Sequence, residues 1–450
     1  MQVIPVNASD LGNRSYVVTD GLRAMAIDPP RPATEVLDIV RSRGLVLEII
    51  VETHLHNDHI SGGPELAEAT GATYAVCADE HVRGAQGIVD GDRFRVGSMQ
   101  VDVVATPGHT PHHQSFIVTA GDDCVVFSGG SLLVGTVGRT DLLGSDLAAK
   151  LAGDQWVSVR RLLSDLPGTA DVHPTHGFGS FCSATSGGGT ETTIGTERQH
   201  NPAARFDRET FVETLLAGFG EYPSYFAHMA ARNRTGPLPP AYRDPVPTLS
   251  ADDLSDLTGH LWVVDVRPRA AFAAAHVPDT VNVGIDGPLA TYIGWTMPWG
   301  APFALVGSDA GELSRARCAL AHIGLDLPVG TAIPPAGAQS GRLRRANFAQ
   351  LAAEWTDDIT VIDVRRHEEW DSGHLEGALH VPVHRLPDAD LPEGQLWLYC
   401  AGGYRAALGA SLLQRMGRDV VAVDDTWCAA NASQLPLATT VETQSSLLAS

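Results

Sequence analysis

Residues 53–63 read THLHNDHISGG, which places three histidines and an aspartate within six positions. Imidazole and carboxylate side chains are common metal ligands, and burying so many of them without partners would be costly. The preceding LEIIVE predicts a strand, so His54 and His56, two positions apart on extended backbone, are expected to point to the same side. Asp58 and His59 follow where the chain turns. The stretch therefore predicts a metal site at the end of a strand.

Two later stretches add histidines in the same kind of place. In ATPGHT, His109 lies just past a predicted strand on a Pro-Gly turn, and in HPTHGFGS, His176 follows another predicted strand. The strand ends of one layered domain are expected to bring these side chains to a common cavity. The predicted ligands of a single ion are His54, His56 and His109. The side chains predicted to orient water, act as a base or hold a weaker second ion are Asp58, His59 and His176.

The rest of the chain divides into recognisable parts. Up to about residue 195, short apolar runs alternate with helix-like stretches, which predicts a layered α/β or α+β domain. RTGPLPPAYRDPVP, residues 234–247, has five prolines in fourteen residues and is predicted to be a linker without helix or strand. Two similar passages follow, each with a helix, a buried strand that ends in DVR, a helical turn and a second strand. This repeat predicts two homologous α/β domains in tandem.

Four motifs stand out in the first 195 residues, and they are HLHNDH at 54–59, TPGHT at 106–110, GRTD at 138–141 and HGFGSFC at 176–182. Together they resemble the metallo-β-lactamase superfamily, which implies an αββα sandwich with the metal at the edge between its two sheets. Within that superfamily they are most similar to persulfide dioxygenases and to the glyoxalase II thioesterases. Persulfide dioxygenases hold one iron(II) on two histidines and an aspartate, and the resemblance maps those histidines to His54 and His109.

The aspartate that this resemblance requires is absent. The family carries F-[ST]-G-D after a strand, whereas residues 127–130 read FSGG. Gly130 has no side chain that could bind a metal, and a two-metal hydrolase would lose its bridging carboxylate for the same reason. Three imidazoles remain, enough for one iron with several open positions or, as an alternative, one zinc with a single open position. His112 or His113 could substitute for the missing ligand, although packing beside the site is their expected role.

A second kind of site is predicted in LWLYCAGGYRAALGASLL, residues 396–413, which reads as a strand, a tight loop and a helix. A thiol in such a loop faces successive backbone N–H groups and the positive end of the helix dipole, which together stabilise an anionic sulfur. Cys400 is therefore the predicted nucleophile, with Arg405 as its cationic partner in catalysis. The loop residues predicted to bind the sulfur substrate are Ala401, Gly402, Gly403 and Tyr404.

This loop, the IDVR and GHLEGALHVP stretches before it, and Thr426 and Trp427 after it resemble rhodaneses over about residues 345–432. The resemblance implies that Cys400 accepts a sulfane sulfur as a persulfide and passes it to sulfite or a thiol. In the first repeat the corresponding stretch reads FALVGSDAGELSRA, with Gly307 in place of the cysteine and Cys318 in the next helix. That repeat is predicted to be a degenerate rhodanese-like domain used for docking or dimer packing.

The predicted domains are residues 1–235 for the metallo-β-lactamase-like metal domain, 248–335 for the degenerate domain and 342–440 for the active rhodanese domain. The six cysteines show no spacing typical of a disulfide framework or a structural zinc site. Cys182 lies close to the predicted metal site and is interpreted either as a catalytic residue that carries a persulfide or as a small buried residue. Cys77 and Cys124 are interpreted as structural.

The net charge and the distribution of apolar residues argue against several kinds of partner and location. The formal net charge of −22 argues against nucleic acid or an anionic membrane surface as a partner. The first residues lack the basic flank and apolar run of a signal peptide, and no apolar stretch reaches the roughly 18 residues that span a bilayer. A cytoplasmic protein is therefore predicted.

The resemblances together predict an enzyme of sulfane-sulfur metabolism. It would oxidise a small thiol persulfide at one iron(II) per chain and transfer sulfur through Cys400, with sulfite and thiosulfate as products. Because of Gly130, the N-terminal domain could instead be a zinc thioester or persulfide hydrolase, or could bind thiols without turnover. A third alternative is a scaffold that binds partner proteins through the degenerate domain. A homodimer or higher homo-oligomer is expected from the family alone.

Overall fold

The computed structural model describes residues 1–184 and 189–439 of the chain. They form two compact units. The first contains Met1–Ala241 together with Ala321–Gly324, and the second contains Tyr242–Leu320 and the chain from Leu325 onward. Within the described residues, no helix combines the length and the apolar character needed to cross a bilayer.

The first unit contains two six-stranded sheets, each with its strands in sequence order from one edge to the other. The strands of the first sheet are Gln2–Ala8, Asn13–Thr19, Arg23–Ile27, Val46–Val51, Thr73–Cys77 and Gln86–Ile88. Its first three strands are antiparallel and its last four run parallel. The strands of the second sheet are Arg93–Val96, Met99–Ala105, Gln114–Ala120, Asp123–Gly129, Asp171–Pro174 and Thr192–Thr193. Only its fourth and fifth strands pair in parallel.

Apolar side chains alternate along these strands and produce three layers of core. One cluster, which includes Tyr16, Met25, Val101 and Phe127, lies between the two sheets. A second packs the first sheet on its helices, and a third packs the second sheet on its own. The αββα sandwich is therefore confirmed. The helices of this unit are Thr34–Ser42, Gly63–Thr70, Ser145–Asp165, Ile194–His200, Pro202–Arg205, Arg208–Ala217 and Phe226–Arg234, with a 3-10 turn at Ala78–Glu80. A further 3-10 turn, Ala241–Arg243, forms where the chain passes from the first unit to the second.

The proline-rich stretch contains one short element that the sequence analysis did not predict. The 3-10 turn Ala241–Arg243 forms within residues 234–247. Proline fixes φ near −65°, which suits a single helical turn although it prevents a longer helix.

The second unit contains two fully parallel sheets, as expected for the tandem α/β domains. The strands of the first sheet, in spatial order, are Val281–Asn282, Trp262–Asp265, Phe303–Val306 and Gly330–Ala332. The strands of the second sheet, in spatial order, are Arg344–Ala346, Val420–Val423, Gln395–Tyr399, Ile359–Asp363 and Leu379–His380. A small antiparallel pair joins His374–Leu375 to Leu437–Ala438.

Eight helices and two 3-10 turns among the described residues surround these sheets. The helices are Ala251–Thr258, Arg269–Ala274, Leu289–Thr296, Ala310–Ala321, Phe348–Glu354, His367–Ser372, Tyr404–Arg415 and Trp427–Ala432, and the turns are Ala336–Ala338 and Val383–Asp388.

Each repeat contains a buried ion pair of the same kind, formed within its own DVR sequence. In the first, Arg267 Nη2 donates to Asp265 Oδ2 at 2.6 Å, and in the second Arg365 Nη2 donates to Asp363 Oδ2, also at 2.6 Å. Each carboxylate also accepts from the backbone N–H of its own arginine. In each repeat the arginine neutralises a carboxylate that is buried at the end of a central strand. The recurrence of this ion pair supports the interpretation of the two passages as a repeat.

Candidate metal centre and sulfur-transfer loop

Three buried histidines of the first unit lie just past the ends of strands. His54 follows the strand Val46–Val51, His109 follows Met99–Ala105, and His176 follows Asp171–Pro174. The structure brings their rings together, with ring centroids of His54 and His109 4.8 Å apart and those of His54 and His176 5.3 Å apart. All three side chains are buried.

The local backbone differs from the prediction. The strand ends at Val51, so His54 and His56 lie in the loop that follows rather than on extended strand backbone. Asp28 accounts for the change, because its carboxylate accepts from both the backbone N–H and the hydroxyl of Thr53, at 2.6 and 2.7 Å. Thr175 donates to the same carboxylate. Burial works to raise the pKa of Asp28, but His56 and these hydrogen bonds lower it overall.

Hydrogen bonds fix which nitrogen of each ring carries the proton. The Thr53 hydroxyl donates to Asp28, so it must accept from Nδ1 of His54 at 2.9 Å. The Arg139 carbonyl accepts from Nδ1 of His109 at 2.7 Å. These two rings therefore carry their protons on Nδ1, and each keeps a lone pair on Nε2.

His176 is held in the same tautomer. The side-chain amide of Asn13 donates to Asp58 at 2.7 Å, which leaves its oxygen to accept from Nδ1 of His176 at 2.9 Å. Nε2 of His54, His109 and His176 therefore each carry a lone pair. The three residues form one group of potential metal ligands, whose ligand atoms lie within 4.8 Å of one another. Nε2 of His54 and His176 are only 3.3 Å apart, and within the described residues Nε2 of His109 has no hydrogen-bond partner. Such a set of lone pairs fits a metal cation.

Burial keeps these three rings neutral, which is the form that binds metals. It lowers the pKa of His109 to about 4 and that of His176 to about 3. It also lowers the pKa of His54 well below its usual value, and the surrounding imidazoles act in the same direction.

His56 has different partners from the other three. Its Nε2 lies 3.1 Å from a Glu52 oxygen and 3.4 Å from an Asp28 oxygen. Burial alone would lower its pKa, but the two carboxylates raise it to about 10. Burial also raises the pKa of Glu52 to about 7 despite the contact with His56. The role of His56 as a ligand stays a prediction, because its Nε2 faces the two carboxylates and its Nδ1 has no hydrogen-bond partner within the described residues.

Asp58 and His59 lie beside the three-histidine group. The Asp58 carboxylate is 3.1 Å from Nδ1 of His59 and 3.5 Å from Nδ1 of His176. Asp58, His56 and His176 form another group with metal-ligand spacing. This group shares His176 with the three-histidine group and does not include His59, so a second ion at His59 and His176 stays a prediction.

Gly130 lies against the ring of His109, which occupies the space that a larger side chain would need. A Cβ atom at this position would lie 2.6 Å from Cγ of His109 and closer still to Cδ2. The Gly130 N–H donates to Nε2 of His113 at 3.0 Å, and Thr106 lies 2.9 Å from the other nitrogen of that ring. His113 therefore packs beside the site and does not replace the missing ligand in this arrangement. His112 is partly exposed.

Cys182 is fully buried near this site. Burial raises the pKa of its thiol well above the usual value, and the nearby Asp58 carboxylate raises it further. The carbonyl of Cys182 accepts from the backbone N–H of Arg139, which anchors the loop. The surroundings favour the protonated thiol, and a catalytic role for Cys182 stays a prediction.

In the second unit Cys400 directly follows the strand Gln395–Tyr399 and begins the predicted loop, and the helix begins at Tyr404. The Gly403 N–H donates to Cys400 Sγ at 3.1 Å. Gly403 has a φ of +86°, a backbone conformation that favours glycine, and this turn directs the N–H towards the sulfur. Ala401 and Gly402 are exposed beside it. The thiol therefore lies at the N-terminus of a twelve-residue helix, in a position to be stabilised as an anion.

Arg405 makes a bidentate ion pair with Glu369, at 2.5 and 2.7 Å. Burial would raise the pKa of Glu369, but Arg405 and then Arg366 lower it to about 2. The guanidinium is therefore fixed beside the loop and not free to move towards a substrate. The roles predicted for Arg405 and the loop residues in catalysis and binding stay predictions.

The loop of the first repeat has reversed charge. Gly307 follows the strand Phe303–Val306, as Cys400 follows its own strand, and Glu312 occupies the position equivalent to Arg405. The Glu312 carboxylate accepts from the backbone N–H of Ser308 at 2.5 Å. A Cβ at Gly307 would lie 2.9 Å from Leu313 and 3.3 Å from that carboxylate. Leu313 and Glu312 thus occupy the space that a side chain at Gly307 would need.

Sequence reasoning missed the residues that orient the histidine rings. These are Asn13, Asp28, Thr53 and Arg139. Thr53 offered a signal, because it immediately precedes the first ligand of the THLHNDH run. Arg139 lies in the GRTD motif, but nothing in that motif indicates that its backbone carbonyl would accept from His109. Asn13 and Asp28 are far from their partners along the chain and carry no local signature.

Comparison with protein families gives two matches. The model described as "Metallo-beta-lactamase superfamily" matches residues 10–176, and the model described as "Rhodanese-like domain" matches residues 348–429.

Individual proteins extend these matches. The human mitochondrial persulfide dioxygenase ETHE1 is 32% identical over 200 residues, which are 43% of this chain and 70% of that protein. A hydroxyacylglutathione hydrolase of Methylococcus capsulatus is 34% identical over 161 residues, 35% of this chain and 59% of that protein. The crystal structure of a metallo-β-lactamase from Staphylococcus aureus matches with a TM-score of 0.65 and 27% identity, covering 74% of this chain and 99% of that one. The chain thus belongs to the metallo-β-lactamase superfamily, with an N-terminal domain related to ETHE1 persulfide dioxygenase and a C-terminal rhodanese-like domain.

Proposed function

We propose that this chain works in sulfane-sulfur metabolism through two sites. One is a single metal ion held by His54, His109 and His176, where a low-molecular-weight persulfide is oxidised. The other is Cys400, which transfers sulfur to an acceptor. The observation that carries the proposal is the set of three unprotonated Nε2 atoms in a domain related to a persulfide dioxygenase.

Three neutral imidazoles leave part of a metal's coordination sphere open. An iron(II) ion bound there would supply positions for a thiolate sulfur and for dioxygen. The protein's contribution is orientation, because Thr53, the Arg139 carbonyl and Asn13 each hold one ring by its Nδ1 proton. In the overall reaction a persulfide, dioxygen and water give the thiol, sulfite and two protons.

Sulfur transfer at Cys400 follows from the loop. The Cys400 thiolate attacks the outer sulfur of a donor persulfide, a bond forms between the two sulfurs, and the donor thiolate leaves with the electron pair of the broken bond. An acceptor such as sulfite then attacks the outer sulfur of the Cys400 persulfide, which forms thiosulfate and releases the Cys400 thiolate. The Gly403 N–H, 3.1 Å from Sγ, stabilises the thiolate. Sulfite from the first site would be an acceptor for the second.

Gly130 supports a second candidate for the N-terminal domain. Without a carboxylate, a three-histidine set also suits one zinc ion with a bound water, as in zinc hydrolases. The similarity to a hydroxyacylglutathione hydrolase favours a thioester or persulfide substrate for such an enzyme.

The test combines metal analysis with activity on one preparation of full-length protein purified without oxygen. About one iron per chain, with oxygen uptake on glutathione persulfide, would support the dioxygenase. One zinc per chain, with hydrolysis of a glutathione thioester and no oxygen uptake, would support the hydrolase. Absence of both activities in protein that retains Cys400 sulfurtransfer would contradict both and leave the metal domain without turnover. The control is His200→Ala, which changes an exposed histidine of the same unit.

A further inference from the structure

Arg269 belongs to the first rhodanese-like domain but contacts the Cys400 loop of the second. It begins the helix Arg269–Ala274. Its Nη2 donates to the carbonyl of Gly402 at 3.3 Å, and its Nε donates to Asp424 Oδ1 at 2.8 Å. A more exposed contact joins its Nη1 to Asp286 at 3.4 Å. One side chain of the degenerate domain is thus bonded to a loop residue and to the carboxylate beside it.

Asp424 makes this contact important for the loop. A Cβ on Gly403 would lie 3.0 Å from Cα of Asp424, so the carboxylate residue packs directly against the turn that points an N–H at the sulfur. Arg345 of the second domain also pairs with Asp424. Arg269 therefore holds the loop directly through the Gly402 carbonyl and indirectly through the Asp424 carboxylate.

The charge of Arg269 also acts on the sulfur. Burial lowers the pKa of Arg269, but Asp424, Asp286 and Cys400 raise it overall. The other cation of the loop, Arg405, pairs through both Nη atoms with Glu369 and also interacts electrostatically with Cys400. If Arg269 were neutral, the neighbourhood of Cys400 would lose one positive charge while every carboxylate remained.

We infer that the degenerate domain completes the sulfurtransferase site of its neighbour, with Arg269 as a positioning residue that holds the Cys400 loop and favours its anionic sulfur. The inference rests on the proposed role of Cys400. The first repeat, in which Gly307 replaces the cysteine, then has a function, because it supplies a cation to the Cys400 site of the second repeat.

The test measures the pH dependence of Cys400 alkylation in the full-length protein. The rate of iodoacetamide labelling is followed on the Cys400 peptide by mass spectrometry, which separates it from the exposed Cys428. Arg269→Gln is expected to raise the midpoint of the pH profile by about 0.5 unit or more and to lower kcat/KM for sulfurtransfer. Arg269→Lys keeps the cation and should remain near the wild-type midpoint. Arg315→Gln changes an exposed arginine of the same domain and should have no effect.

The outcomes separate the possibilities. An Arg269→Gln midpoint equal to that of the wild type, or a Lys variant shifted as far as the Gln variant, would overturn the inference. If the Gln variant does not fold, the wild-type profile decides, because added salt must raise the midpoint by screening a partly exposed cation. No salt effect would contradict the role of its charge. A wild-type Cys400 that gains no sulfur from a persulfide donor would instead refute the proposed function.

Discussion

Nε2 of His54 and Nε2 of His176 lie 3.3 Å apart, and both carry lone pairs because each ring has its proton on Nδ1. Two buried acceptors at this distance repel each other unless a positive charge lies near both. His109, the third member of this group, follows a different strand, and its ring occupies the space that a side chain at Gly130 would need.

Replacement of His176 tests the ligand set directly. Because His176 provides one of three donors, His176→Ala is expected to lower the affinity for cobalt(II) at least about tenfold and to change the visible spectrum of the bound ion. The measurement is a spectroscopic titration of metal-free protein. His200→Ala should titrate like the wild type, and an unchanged His176→Ala spectrum would exclude this histidine as a ligand.

Restoring the family's aspartate should not restore a better site. In Gly130→Asp the new Cβ must displace the ring of His109, so metal affinity is expected to fall and the protein to lose about 1–3 kcal/mol of stability. Gly130→Ala introduces the same Cβ without a charge and should show the same direction. Cobalt titration and urea unfolding provide both quantities. Tighter binding by the aspartate variant would show that a carboxylate is accommodated and that three histidines are not the full set.

Cys400→Ser should abolish thiosulfate:cyanide sulfurtransfer, because the hydroxyl cannot form a persulfide. Cys428→Ser, an exposed cysteine of the same domain, should retain the activity and controls for general effects of the substitution. Steady-state assays of the two variants decide. Transfer that persists in Cys400→Ser would place the reactive sulfur at another cysteine.

The Glu369–Arg405 pair predicts a pH dependence of stability. The pKa of Glu369 is lowered from 4.5 to about 2, so its contribution is fully present above about pH 4.5 and is lost as the pH falls towards 2. After allowance for the partial exposure of Glu369, about 2 kcal/mol is expected from the charged form. Urea unfolding of Glu369→Gln should therefore differ from the wild type at pH 6 and approach it near pH 3. Glu368→Gln, its exposed neighbour, should show no such convergence.

The sequence was most informative where chemistry and spacing are local. Cys400 and Gly403 lie three residues apart, and the loop that joins them was predicted from the strand before it and the helix after it. The histidines at strand ends were predictable for the same reason, since a layered fold gathers such ends at one edge.

The partners of these side chains could not be predicted, because they depend on packing between distant segments. His54 and His176 are 122 positions apart, and Asn13, which orients His176, lies 163 positions from it. The tautomer of each ring follows from such contacts, and so does the difference between His56 and the other histidines. Arg269 gave no signal either, since the repeat pattern continues through it unchanged.

The charge-reversed loop of the first repeat means that the duplication provides no redundancy. Gly307→Cys would place a thiol beside the Glu312 carboxylate and against Leu313, where an anionic sulfur is disfavoured. The first repeat offers no thiol at the position equivalent to Cys400, so an inhibitor that traps Cys400 would meet no substitute nucleophile in that loop.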